Sequence, residues 1–182
     1  YITLPPLRVR AGQGGAGARA LPEQRLRVRD YCFLLGAFLS EGSIVNQPAS
    51  GSYGIDIAQV KQPNRARLEG RLQEAGLAFS PHGAGDEVRI YGEQLMHHFV
   101  QFGHAHQKFI PANVFAFAQE DLEELFQWLM WGGGHTKDGQ PIAYTTTSAQ
   151  LADDVQRLCL HTGRAGNIKH RNPDKISARP RA

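Results

Sequence analysis

Eight histidines, 17 carboxylates and two cysteines are the places where this 182-residue chain could hold a metal or activate a nucleophile. Four of the histidines, His97, His98, His104 and His106, fall within ten residues. Their spacing, HHxxxxxHxH, lacks a cysteine pair and also the HxxxH that sets two imidazoles one helical turn apart. Zinc is therefore a poor fit, and surface or connector histidines are the better reading. Glu120, Asp121, Glu123 and Glu124 open a helix, where the dipole favours carboxylates, so a solvated first turn accounts for them. Cys32 and Cys159 lie far apart among apolar neighbours without CxxC spacing, which suits free buried thiols of a reducing compartment.

Charge is distributed more tellingly than its total. The chain carries 20 Lys+Arg and 17 Asp+Glu, a formal net of +3. Residues 1–29 hold six arginines and one acid, Glu23, and residues 157–182 hold seven basic groups and one acid, Asp174. The stretch between is left with seven basic against fifteen acidic residues. Basic ends around an acidic middle suit a polyanion partner, and solvated flexible termini suit the same pattern. A composition of 41% hydrophobic and 20% charged residues excludes disorder, collagen-like repeats and coiled coil. No apolar run nears the ~20 residues of a membrane helix and no signal-peptide pattern opens the chain, so the expectation is a cytoplasmic or nucleoid-associated protein without membrane attachment.

The elements follow from periodicity and breakers. Residues 11–20, AGQGGAGARA, read as a linker after a short extended start, with ordered folding from near Pro22. Residues 29–42, RDYCFLLGAFLSEG, are apolar on nearly every side, a helix buried all round and closed by Gly42. A hairpin is expected over 43–61, then a helix capped by Asn64 and closed by Gly76, a second hairpin turning at 83–86, a short helix over 93–102, and an extended KFIPANVF at 108–115. The order then recurs: a helix over 120–134, a hairpin around Asp138–Gly139, a helix capped by Ser148 and closed by Gly163, and a last hairpin turning at 172–174. Gly42 and Gly134 are 92 residues apart. The expected organisation is an extension over 1–29 and two pseudo-symmetric copies over 30–117 and 118–182 of an α/β (α+β) chain.

At 34–42 stands LLGAFLSEG, and at 126–134 FQWLMWGGG occupies the matching place. The first resembles the nine-residue LAGLIDADG motif, and the span from about residue 30 to 180 resembles a two-repeat LAGLIDADG homing endonuclease domain of the kind found in inteins. The resemblance implies two αββαββα repeats whose antiparallel sheets form a saddle over DNA. It implies close packing of the two motif helices through small residues such as Gly36 and Ser40. It also implies an acid at the eighth motif position of each copy, holding Mg²⁺ (with Mn²⁺ or Ca²⁺ able to replace it in binding) at the scissile phosphates. Glu41 fills that place in the first copy, and Gly133, which has no ligand to offer, stands in the second. Cleavage is thus expected to be weakened or limited to nicking, and a non-catalytic DNA- or RNA-binding protein of the regulator or maturase kind is the alternative. An engineered Asp→Gly change and natural degeneration both fit the run Gly132–Gly134, and bulky Trp128 departs from the small residue usual at its motif position.

The same resemblance assigns roles on the strands. Lys61 and Gln59, and less strongly Lys169, are expected near the catalytic centre, orienting water and offsetting phosphate charge. Gln59, Lys61, Arg65, Arg89, Tyr91, Tyr144, Thr146, Ser148, Lys169, Arg171, Ser177 and Arg179 are the candidate DNA contacts, with Arg and Gln suited to reading bases and Lys to phosphate. The implied partner is double-stranded DNA with a long specific site, bound by a monomer. Tyr1 is no splicing nucleophile and no His-Asn pair closes the chain, so splicing would belong to a separate intein domain.

Overall fold

The computed structural model describes residues 1–10, 18–59, 62–138 and 140–171. Four short strands open the chain: β1 (Ile2–Leu4), β2 (Leu7–Arg10), β3 (Ala18–Leu21) and β4 (Gln24–Leu26). They pair antiparallel, β1 with β4 and β2 with β3. Order begins before Pro22, a correction to the expected start of folding: Leu4 is fully buried and Leu26 joins it in the core, while residues 11–17 of the expected linker lie outside the described residues. Strands of three and four residues are too short for alternation to show in sequence. Gln94 ties this ribbon down by donating from Nε2 to the carbonyls of Pro5 (3.0 Å) and Pro22 (2.6 Å).

Helix α1 (Val28–Glu41) is buried from Asp30 through Leu39, as its all-round apolar sequence requires. Gly42 does not close it in a left-handed turn as expected; its φ of −90° and ψ of 150° are extended. Its small size is what the position uses, since a Cβ there would lie 2.5 Å from the Phe38 Cα. The chain turns straight into β5 (Gly42–Gln47) and β6 (Ser52–Ala58), then α2 (Gln62–Glu74), β7 (Phe79–His82), β8 (Glu87–Tyr91) and α3 (Glu93–Phe99). Helix α2 begins before Asn64, which is therefore inside it rather than its cap. Gly76 does close it, at φ 67°. The strands form one antiparallel sheet in the order β5-β6-β8-β7. Ile55 and Ile57 of β6 and Val88 and Ile90 of β8 face the core, where α1, Leu68 and Leu72 of α2, and Phe99 and Phe102 cover them.

The connection at 108–115 is extended only to Pro111 and then winds into a 3₁₀ turn, Ala112–Ala116. Helix α4 (Gln119–Gly133), the hairpin β9 (Gly134–Lys137) and β10 (Gln140–Tyr144), and α5 (Ala149–His161) follow. Asp138 adopts φ 51° at the hairpin turn, Ser148 caps α5 by accepting from the Leu151 amide at 3.1 Å, and Gly163 closes it at φ 73°. The last expected hairpin does not begin where predicted. Residues 164–171 carry no strand, and its turn and return, including Ser177 and Arg179, lie outside the described residues. Arg164 grips Glu123 with two bonds (2.5 and 2.8 Å) and Gln156 donates to the Gly166 carbonyl at 2.7 Å, which holds this stretch as coil against α4 and α5. The described architecture is mixed α+β: five α-helices, a four-stranded sheet and three two-stranded ones, all antiparallel. Among the described residues no helix is long and apolar enough to cross a membrane.

Candidate functional site

Helices α1 and α4 lie side by side, and their contact is set by residues without bulk. A Cβ on Gly36 would lie 2.7 Å from the Leu125 carbonyl oxygen and 2.8 Å from the Trp128 Cβ, so only glycine admits this approach. Trp128 finds its room over that glycine: its ring meets Phe33 edge-on at 4.6 Å, and its Nε1 donates to Glu124 at 3.0 Å. One turn on, the Ser40 hydroxyl donates to the Leu129 carbonyl at 3.0 Å and accepts the Gly133 amide at 2.5 Å, stitching the two helix ends together. The run of three glycines is explained by space. A Cβ on Gly132 would lie 2.8 Å from the Glu41 Cγ, one on Gly133 would lie 2.9 Å from the Tyr144 ring, and one on Gly134 would lie 2.7 Å from the Met130 Cα. The two helices also start and stop alike. Their N-caps, Arg27 and Ala118, share φ −59°, and their C-caps, Gly42 and Gly134, have φ −90° and −87° with ψ 150° and 154°.

Four polar side chains gather at this junction: Ser40, Glu41, Lys108 and Tyr144. Glu41 is half-buried, and loss of solvent pushes its pKa up while the nearby Lys108 ammonium opposes that rise. Lys108 is buried and donates to the Phe38 carbonyl (2.6 Å) and the Gly42 carbonyl (2.9 Å), so it caps the C-terminus of α1, where the dipole favours a cation. Burial lowers its pKa to about 8, against a weaker upward pull from Glu41. Sequence reasoning missed Lys108, because a single lysine before an apolar FIP reads as a solvated group. Tyr144, expected to reach DNA, is instead held half-buried with its ring over Gly133, and burial pushes its pKa to about 12.

The remaining candidates scatter. Arg89 is not available to a base: Nε and Nη2 donate to the Asp56 carboxylate at 2.9 and 2.7 Å, Nη1 donates to the Ser52 hydroxyl at 3.3 Å, and the Asp56–Arg89 pair is buried. Arg65 is likewise spent, buried between Glu69 (2.8 Å) and the Gly85 carbonyl. Ser148 is buried as the cap of α5, its hydroxyl donating to the Lys108 carbonyl at 2.6 Å. Thr146 accepts the Ser148 amide at 3.1 Å within the same turn. Arg89, Arg65 and Ser148 are corrections to the DNA-contact set, each because burial and an internal partner take up its polar group, while Thr146 stays half-buried. Gln59 is buried just past β6, its backbone N–H donating to the Asp86 carbonyl at 2.8 Å, two residues beyond Ile57, which pairs with Gly42 at the end of α1. Tyr91 is exposed and bonded to Ser80 at 2.8 Å, and Lys169 and Arg171 are exposed but on coil rather than strand. Lys61, like Ser177 and Arg179, lies outside the described residues.

Mg²⁺ takes one or two carboxylates and fills its remaining positions with water or phosphate oxygens; at this junction the carboxylate is Glu41, packed against Gly132 beside the buried Lys108 ammonium. The histidine cluster is no ligand set either: His98 is half-buried, 3.2 Å from the Tyr31 hydroxyl and edge-on to Phe99 and Phe102, while His97, His104 and His106 are exposed.

No family model matches the chain. Among curated proteins it is similar to an ATP-dependent Clp protease proteolytic subunit of Chlamydomonas moewusii, 27% identical over 133 residues, which is 72% of this chain and 13% of that protein. The chain thus spans about one eighth of the length of the curated relative it matches. The named relative is a peptidase subunit and not a DNA nuclease, and this overturns the expectation that the chain is a DNA phosphodiester hydrolase, active or weakened.

Proposed function

We propose that the chain is a non-catalytic binder of double-stranded DNA, built as a LAGLIDADG-type pair of helix–hairpin repeats whose antiparallel sheets form a saddle over the duplex. The observation that carries this reading is the α1–α4 junction. Two helices with matching caps meet through glycines, and each turns directly into a hairpin. At that point Glu41 packs against Gly132 and position 133 offers no carboxylate, an arrangement with one carboxylate where hydrolysis on two strands needs a pair. Exposed Lys137 on the second hairpin, together with exposed Lys169 and Arg171, supplies cations for phosphate. Because one chain supplies both halves, the binder is monomeric. The match of 133 residues to about an eighth of a longer protein suits a module carried beside other domains, an intein-type splicing domain among them.

Selection from a random duplex library, followed by fluorescence anisotropy on the selected site, tests the reading. Affinity should fall with rising salt, and replacing both Lys169 and Arg171 by alanine should weaken binding and reduce the slope of log K against log salt by about 2. Adding Mg²⁺ should leave the duplex intact. Salt-independent binding, equal affinity for duplex RNA of the same sequence, or strand scission would each sink it.

A further inference from the structure

The outward face of the four-stranded sheet carries a second cluster, separate from the α1–α4 junction. Asp56 lies on β6, His82 ends β7 and Glu87 opens β8, which sits between those two strands. His82 pairs directly with Glu87, and Asp56 pairs with Arg89 two residues along β8, so alternation puts all three side chains on one face, opposite Ile55, Ile57, Val88 and Ile90. One ligand atom from each of Asp56, His82 and Glu87 lies within 4.8 Å of the other two. The Asp56–Arg89 pair accounts for Asp56. Among the described residues it leaves the side chains of His82 and Glu87 with no hydrogen bond of their own, both half-exposed and turned toward a buried carboxylate.

From this geometry we infer that Asp56, His82 and Glu87 bind a first-row divalent transition-metal ion, with Zn²⁺ as the reference case. One imidazole with two carboxylates is a borderline donor set that suits Zn²⁺, Co²⁺ or Mn²⁺ over Mg²⁺ and Ca²⁺, which take oxygens alone. A tetrahedral ion with bonds of about 2.0–2.2 Å holds its ligands roughly 3.3–3.6 Å apart, so the three atoms close on it through side-chain rotation of about an ångström. Each Asp56 oxygen accepts one bond from Arg89 and keeps a second lone pair for the metal. Asp56, Glu87 and Arg89 sum to one negative charge beside the His82 imidazole, which attracts a dication, while the guanidinium tempers its affinity. The bound ion clasps β6, β8 and β7 together at the end where β7 is an edge strand, and keeps at least one position for water or an anion.

The inference does not rest on DNA binding, and neither does its test. The metal-stripped chain is titrated with Co²⁺, followed by its visible absorption, and with Zn²⁺, followed by calorimetry and thermal melting. One equivalent should bind with Co²⁺ absorption typical of N/O ligands, and Zn²⁺ should raise the melting temperature. His82→Ala and Glu87→Gln lie on the surface, and with unchanged circular dichroism each should weaken binding at least about tenfold and abolish the melting shift. His104→Ala serves as a control for adventitious surface binding and should change nothing. Absence of one-to-one binding, or binding that survives both His82→Ala and Glu87→Gln, overturns the site.

Discussion

His98 shows how burial turns an ordinary side chain into a pH-sensitive one. Desolvation among Tyr31, Phe99 and Phe102 lowers its pKa from the usual 6.5. Below about pH 6.5 the unfolded chain takes up a proton that the folded chain resists, so this group's contribution is full above that pH and is lost as pH falls toward the folded pKa. Denaturant titrations from about pH 7 to about pH 5 should show stability falling, and His98→Leu should flatten that part of the profile; an unchanged slope would place the effect on other groups. Lys108 offers a second measurement at this scale. Its two bonds to the carbonyls ending α1 make Lys108→Met destabilising by about 2–4 kcal/mol, read from the shift of the denaturant midpoint at unchanged m-value. Neither role is visible in the sequence, where both residues sit in polar or mixed stretches and only the packing around them decides their chemistry.

At the scale of elements, the helices and hairpins were largely legible. Continuous apolar runs, Asp138 at a two-residue turn, Ser148 as a cap and glycines after α2 and α5 each carry a local physical signal that the fold keeps. What was illegible is how those elements spend their polar groups. The strand pattern puts Arg89 on the open face of the sheet, and only the neighbouring strand shows that Asp56 consumes it. Arg89→Met should therefore cost about 3–5 kcal/mol of stability by leaving a buried carboxylate unpaired, a loss that thermal or chemical unfolding detects without any DNA present. Close packing gives the complementary prediction. Gly36→Ala places a methyl 2.7 Å from the Leu125 carbonyl oxygen and should force α1 and α4 apart at a cost of about 1–3 kcal/mol, with a lowered denaturant midpoint as the readout.

Across the whole molecule, one hydrophobic core runs through both halves of the chain. Residues from Leu4 to Leu158 belong to it, with Phe33 against Trp128 at its centre. Polar bonds reinforce the seam: Arg71 bridges Asp30 and Glu124 at 2.8 and 3.1 Å, and Asp154 accepts the Ile110 amide at 2.8 Å. Unfolding should accordingly be a single cooperative transition in calorimetry, and two separated transitions would show that the halves stand alone. The sequence by itself determined the α+β class, the succession of helices and hairpins and the glycines that mark close approach, because periodicity, capping and turn chemistry act within a few residues. Tertiary structure alone decided that the N-terminal segment pairs into strands, that Arg65, Arg89 and Ser148 are taken up by internal partners, that Lys108 and Tyr144 meet Glu41, and that Asp56, His82 and Glu87 converge. Those outcomes depend on which groups from distant segments arrive within hydrogen-bond reach once water is excluded, and nothing local in a sequence encodes that.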